Sequence, residues 1–180
     1  MIAIKHRFSG ATICEFDVAT IKEAVEQAIQ KKINLRGSDL RGSDLSYSNL
    51  SGSNLGGSNL SYSNLSGSNL GGSNLRGSDL SGSNLGGGNL SGSDLGGSNL
   101  SGSNIDGEKI TKNPLSITGL YYRCLITDGY MRLGCKRYTH AEWSEFNDSE
   151  IEEMDSHATE FWNQWRFPLL AMCKQHAEAA

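Results

Sequence analysis

Proline is nearly missing from this chain of 180 residues: the two it has are Pro114 and Pro168, so every break that proline imposes falls in the second half. Cysteine is scarce too. Cys14, Cys124, Cys135 and Cys173 contain no CxxC and no paired spacing, which argues against a disulfide framework and fits reduced thiols. Cys124, Cys135 and His140 are the one trio worth weighing as zinc ligands, and without a CxxC they read better as ordinary half-buried residues. No apolar run approaches the roughly 20 residues of a membrane span. Lys5, His6 and Arg7 interrupt the N-terminus before a secretory signal could develop. The expectation is a soluble cytoplasmic protein with no membrane partner, no cofactor and no metal.

Reactive chemistry is equally thin. The repeat surface, built from Asn, Ser and Gly with occasional Arg, Asp and Tyr, offers no nucleophile beside a base, no concentrated acid pair and no metal cluster. Its glycines recur every five residues with no Gly-Lys-Ser/Thr after them, so they form no phosphate loop. His140, His157, His176 and Cys135 stand at no spacing that a known reaction requires. No catalytic residue is assigned, and the chain is expected not to be an enzyme.

What is present is a beat. Leucine stands at every fifth position from Leu35 to Leu100, fourteen times, and Ile105 and Ile110 continue it. A helix returns apolar residues every three or four positions and a strand every two; a strict five needs a unit that turns a corner after each short extended piece. Each unit, such as Ser53-Asn54-Leu55-Gly56-Gly57, supplies one apolar anchor, one residue suited to turns and one glycine. It cannot bury its leucine alone, whereas stacked copies can. Gly/Ser composition by itself would describe a flexible linker, but a linker has no reason to hold leucines in phase.

The run Ser38-Asp39-Leu40-Arg41-Gly42 and its successors resemble the pentapeptide repeat proteins, whose consensus is Ala-Asp/Asn-Leu-X-X. The resemblance covers Ile33 to about Ile110. It implies a mainly β fold, a right-handed quadrilateral β-helix of about four coils, with the leucine and the residue two before it pointing inward. That second inward site is small and apolar in the family. Here it is serine at thirteen positions (Ser38 to Ser83, Ser93, Ser98, Ser103) and glycine at Gly88. A buried hydroxyl needs a partner. With equivalent serines roughly 4.8 Å apart along the axis, the expectation is four serine ladders lining a leucine core, each hydroxyl reaching a carbonyl or the next hydroxyl.

Three segments follow: 1–32 as an N-terminal cap, 33–110 as the repeats, and 111–180 as a C-terminal hairpin with acidic, aromatic helices. In the first, Ile2 to Phe8 and Thr12 to Phe16 read as strands around Ser9-Gly10. Thr20 and Glu23 have capping-box spacing, and Ile21, Ala24, Val25, Ala28 and Ile29 share a helical face. This helix either covers the open end of the repeats or binds a partner. In the third, Leu120 to Thr127 and Tyr130 to Tyr138 flank Asp128-Gly129, a hairpin signal. Helices are expected from Thr139 with Glu142 as capping box, from Asp148 or Ser149, and from Ser156 onward, kinked or restarted at Pro168. Trp143, Trp162 and Trp165, with Phe146, Phe161 and Phe167, form either a small core or an interface.

The charge is unevenly spread. Asp39, Asp44, Asp79 and Asp94 nearly balance Arg36, Arg41 and Arg76 in the repeats, and three of those aspartates follow an arginine by three residues, suggesting local counter-charges. By contrast, Glu142, Glu145, Asp148, Glu150, Glu152, Glu153, Asp155 and Glu160 have no lysine or arginine among them. Arg123, Arg132, Lys136 and Arg137 make the hairpin basic and are expected to pair with those acids. Tyr47 and Tyr62 replace glycine on the repeat surface, marking a contact patch or shielding a corner.

The best-known family members are read as DNA mimics that occupy the DNA-binding groove of a type II topoisomerase such as gyrase. That needs a strongly negative face, and these repeats are close to neutral. The first expectation is therefore a non-enzymatic binding or scaffold protein of a bacterial or phage-infected cell, inhibiting a host enzyme or defence system. Its interaction residues are drawn from Tyr47, Tyr62, Glu142, Glu145, Glu152, Glu153, Trp162 and Trp165. A DNA-binding enzyme as partner is the alternative, and a small or polysaccharide ligand along the Asn/Ser/Tyr face is the third. Direct nucleic-acid binding is not expected. Homo-oligomerisation through the C-terminal helices is a separate expectation.

Overall fold

The structure is a computed structural model that describes residues 1–117 and 119–178. It divides into two compact units, Met1–Asn113 and Pro114–Ala180.

The first unit is built on the leucine beat. None of the fourteen leucines is more than 4% exposed, and Ile105 and Ile110 are buried with them. The backbone explains the period. Each repeat closes a turn in which serine donates its N–H to the preceding leucine carbonyl, as in Ser48 to Leu45 at 3.2 Å. The residue before that serine takes a positive φ, as at Gly52 with 64°, which a turn of this type requires and glycine supplies. Between turns the Asn/Asp position bridges in parallel to the one twenty residues on, from Asp39↔Asn59 to Asn84↔Asn104, so four repeats separate stacked partners. This is a β-helix type of fold.

The serines are buried as expected, apart from the half-buried Ser43, but their ladders are mostly absent. Ser38 donates to Ser58 Oγ at 3.0 Å. At eight further positions the hydroxyl folds back onto the leucine carbonyl three residues earlier, at 2.6 Å for Ser48 and 2.5 Å for Ser63. That carbonyl already turns toward the serine to accept its N–H, so it lies closer than the next coil. The axial side-chain ladder runs instead through the outward amides: Asn64 Nδ2 donates to Asp44, Asn89 Nδ2 to Asn69 and Asn99 Nδ2 to Asp79. Nor do the aspartates pair with the arginine three residues before them. Arg76 reaches Asp94 across the coil at 3.4 Å, while Asp39 and Asp44 accept backbone N–H groups two residues on, the usual turn chemistry of Asx residues.

Both ends of the coil are covered. Strands β1 (Ile2–His6) and β2 (Thr12–Phe16) pair antiparallel, and β1 pairs on its other edge with β3 (Ser38–Asp39). Arg7 and Phe8 fall in the turn rather than in the strand; the Arg7 guanidinium donates to the carbonyls of Gly57 and Ser58. Helix α1 (Ile21–Gln30) buries Ala24, Val25 and Ala28. It is tied to the first coil by Lys22 donating to Ser46 O and by Asn49 N–H donating to Glu26. Thr20 caps it, but Glu23 accepts from Ala19 rather than closing a box on Thr20. At the far end Asp106 and Gly107, with φ of 50° and 87°, turn β4 (Asn104–Ile105) back onto β5 (Glu108–Lys109). Ile110 thus keeps its buried place by way of a hairpin, not a further parallel rung.

The second unit is a four-stranded antiparallel sheet, in order β6 (Leu115–Ile117), β7 (Cys124–Ile126), β8 (Tyr130–Leu133) and β9 (Lys136–Thr139). The Asp128-Gly129 hairpin joins β7 to β8 as expected. Gly134, at φ 56°, ends β8 and turns the chain into β9, splitting the single strand expected over Tyr130 to Tyr138. Helices α2 (His140–Glu145), α3 (Asp148–Glu152) and α4 (Ala158–Glu178) follow. Capping boxes Thr139/Glu142 and Asn147/Glu150 open the first two; α3 begins at Asp148, and Asn147 caps it by accepting from both Ser149 and Glu150 N–H. Helix α4 runs on through the exposed Pro168 without a restart, its inner face held on both sides by Trp162, Leu169 and Cys173 in the core.

Candidate functional site

The aromatic cluster is a core. Trp143 and Trp162 are each 2% exposed, packed against Met131, Leu133 and Ile151. Trp143 Nε1–H donates to Met131 O at 2.7 Å. Trp162 lies in this core, its spacing from Leu169 and Cys173 putting it on the inward stripe of α4. Trp165, half-buried, sits at the edge of that stripe. Of the described Phe, Tyr and Trp rings in the second unit, Phe167 and Tyr121 are exposed, at 79% and 67%.

The acidic residues divide by task. Glu142 accepts from the N–H and hydroxyl of Thr139, and those bonds, the backbone one first, hold its carboxyl below the usual range. Asp155 accepts from the Tyr122 hydroxyl and from His157 N–H; the Tyr122 bond leads in lowering its pKa, while burial and then Asp155 push the phenol up. Glu145, Glu152 and Glu153 are exposed, and none of their side chains makes a described ion pair or hydrogen bond. On the basic hairpin, Arg137 stacks on Tyr130, 3.6 Å from the ring centroid, and neither Arg123 nor Lys136 makes a described ion pair.

On the repeats, Tyr47 and Tyr62 are 77% and 73% exposed and adopt φ of 55° and 57°. Left-handed backbone costs a side-chain-bearing residue roughly 1 to 2 kcal/mol, so these rings sit where glycine is the relaxed choice. Each lies over the glycine one coil on: a Cβ at Gly67 would come within 2.6 Å of the Tyr47 ring, and one at Gly82 within 2.8 Å of Tyr62. Around them the Asn and Ser side chains satisfy one another, as Ser61 Oγ–H does with Asn59 Oδ1 at 2.7 Å.

Sequence reasoning passed over one concavity. A surface pocket of about 390 Å³ in the second unit is lined by residues including Tyr121, His157, Glu160, Phe161 and Trp165; the Tyr121-Tyr122 pair ahead of the hairpin was its one sequence signal. A smaller one of about 70 Å³ lies beside Trp162, Met154 and Tyr122. Among the described residues no group of three or more His, Cys, Asp or Glu could hold a metal ion, and no helix is long and apolar enough to cross a membrane.

The model of the pentapeptide repeats family matches the chain in eight copies, over residues 31–61 and 58–97. HetL, a pentapeptide repeat protein involved in heterocyst differentiation regulation in the cyanobacterium Nostoc sp. strain PCC 7120, is 28% identical over 42% of this chain and 46% of its own, with a TM-score of 0.31. A pentapeptide repeat protein of the Arabidopsis thaliana thylakoid lumen is 27% identical over 44% of this chain and 57% of its own, TM-score 0.31. Rfr23 of the cyanobacterium Cyanothece 51142 is 32% identical over 41% and 57%, TM-score 0.26. The chain thus spans about half the length of these three solved structures. Comparison with curated proteins finds no match. The repeat block, over residues 31–97, is thus similar to the pentapeptide repeats family.

Proposed function

We propose that this chain is a non-enzymatic protein-binding or scaffold protein. In this reading the repeats form a right-handed quadrilateral β-helix of about four coils that serves as a rigid body, and the second unit is the interaction module. One observation carries it: the side chains of Glu145, Glu152 and Glu153 are exposed without a described partner, whereas the Asn and Ser side chains of the repeats spend their hydrogen bonds on one another. Unpaired surface carboxylates steer a basic partner. An inhibitory action on a host enzyme or defence system fits such a module.

The test is capture from bacterial lysate by the full chain and by a Glu145→Lys, Glu152→Lys, Glu153→Lys variant. A protein retained by the first and lost by the second is the expected result; identical capture by both removes the acidic module from the reading. The topoisomerase alternative draws on the same carboxylates, since the repeat column Asp39, Asn59, Asp79, Asn99 dilutes its charge with amides. Unchanged gyrase supercoiling at micromolar protein would sink it.

A further inference from the structure

The larger pocket of the second unit has a composition that the protein-binding reading does not use. One wall is a single stripe of α4, in which Glu160, Phe161, Gln164 and Trp165 stand three and four residues apart and so share a face. Phe161, 6% exposed, forms the floor and takes the Tyr122 ring edge-on at 5.0 Å. Tyr121 also lines the pocket, packed on His157 with ring centroids 5.1 Å apart at 32°. Glu160 is exposed and makes no described ion pair; Arg166, the next basic residue along the chain, donates instead to Ser144 O at 3.1 Å.

We propose that this pocket binds the guanidinium group of an arginine side chain on a protein partner. The inference deepens the protein-binding reading and rests on it. Aromatic faces carry negative potential and attract cations, and a carboxylate beside them supplies the counter-charge. An apolar occupant would strip water from Glu160 with nothing in return. The α4 N-terminus opposes a cation with about half a positive charge, less than the full negative charge that Glu160 brings. Arginine suits the site better than lysine because its planar, weakly hydrated group can stack on Tyr121 or Trp165 while donating to Glu160.

The probe is acetyl-Gly-Arg-Gly-amide, titrated at millimolar concentration into the full chain while the three indole N–H resonances are followed by NMR. The Trp165 resonance should move and saturate, with those of Trp143 and Trp162 fixed as a control for the fold. The citrulline peptide, isosteric and uncharged, should bind at least about threefold more weakly, and Glu160→Gln should weaken the arginine peptide by a similar factor. Equal binding of both peptides, or unchanged affinity in Glu160→Gln and Tyr121→Ala, overturns the proposal. If Glu160→Gln leaves both peptide binding and lysate capture intact, the guanidinium site falls while the broader binding reading stands.

Discussion

At the scale of single residues, the serine at the inward site shows how local geometry defeats an expectation drawn from spacing. Its burial is readable from the beat, because any side chain two before a leucine shares the leucine's side of the chain. Its partner is not, because the choice between an axial neighbour and a carbonyl three residues back depends on turn dihedrals that a one-letter pattern does not carry. The outcome divides the serines sharply. Ser58 Oγ donates to Leu35 O at 2.9 Å and accepts from Ser38, whereas the buried hydroxyls of Ser53 and Ser73 have no partner. Losing a satisfied hydroxyl that itself serves a neighbour costs about 1 to 3 kcal/mol, while removing an unsatisfied one is neutral or favourable. Ser58→Ala should therefore lower stability and Ser73→Ala should leave it unchanged or raise it by up to about 1 kcal/mol, read by chemical denaturation. Equal losses in both would refute the distinction.

Among elements, sequence served best where a local signal is self-sufficient. The capping box Thr139/Glu142 and the Asp128-Gly129 turn need no tertiary context, and both stand where the pattern puts them. It served least well where packing arbitrates: α4 passes through Pro168 because its core face is gripped on both sides, and Trp165, one turn from the buried Trp162, is left at a pocket edge. The core under α4 also contains the ionisable groups that set its response to pH. Burial pushes Cys124 up to about 12 and Cys173 up to about 11, and Tyr122 shifts the same way. A group whose folded pKa is raised contributes stability below its unfolded pKa and loses it as pH climbs toward the folded value. Resistance of the second unit to denaturant, followed by tryptophan fluorescence, should therefore decline from about pH 9 upward. The Cys124→Ala, Cys173→Ala pair should flatten that decline whatever it does to the neutral-pH baseline. An unaltered slope would show that the thiols are not responsible.

At the scale of the whole molecule, the five-residue beat accounts for one core and says nothing of the other. Leu75 is fully buried among leucines of the first unit, and Trp143 and Trp162 are buried among residues of the second. Two separate cores built on different periods imply two cooperative transitions, and the chain supplies a convenient reporter, since all three tryptophans lie beyond Pro114. Leu75→Ala removes a buried side chain from a stacked column, a change that costs about 2 to 5 kcal/mol in a core that cannot collapse around the void. In a solenoid each coil touches only its neighbours, so the damage stays within the repeats. The melt of the repeats, seen by far-UV circular dichroism, should shift downward by several degrees while the fluorescence transition keeps its midpoint. If both transitions move together, the two cores unfold as one, and the charge-reversal and peptide experiments on the second unit would then need the repeats intact to be interpreted.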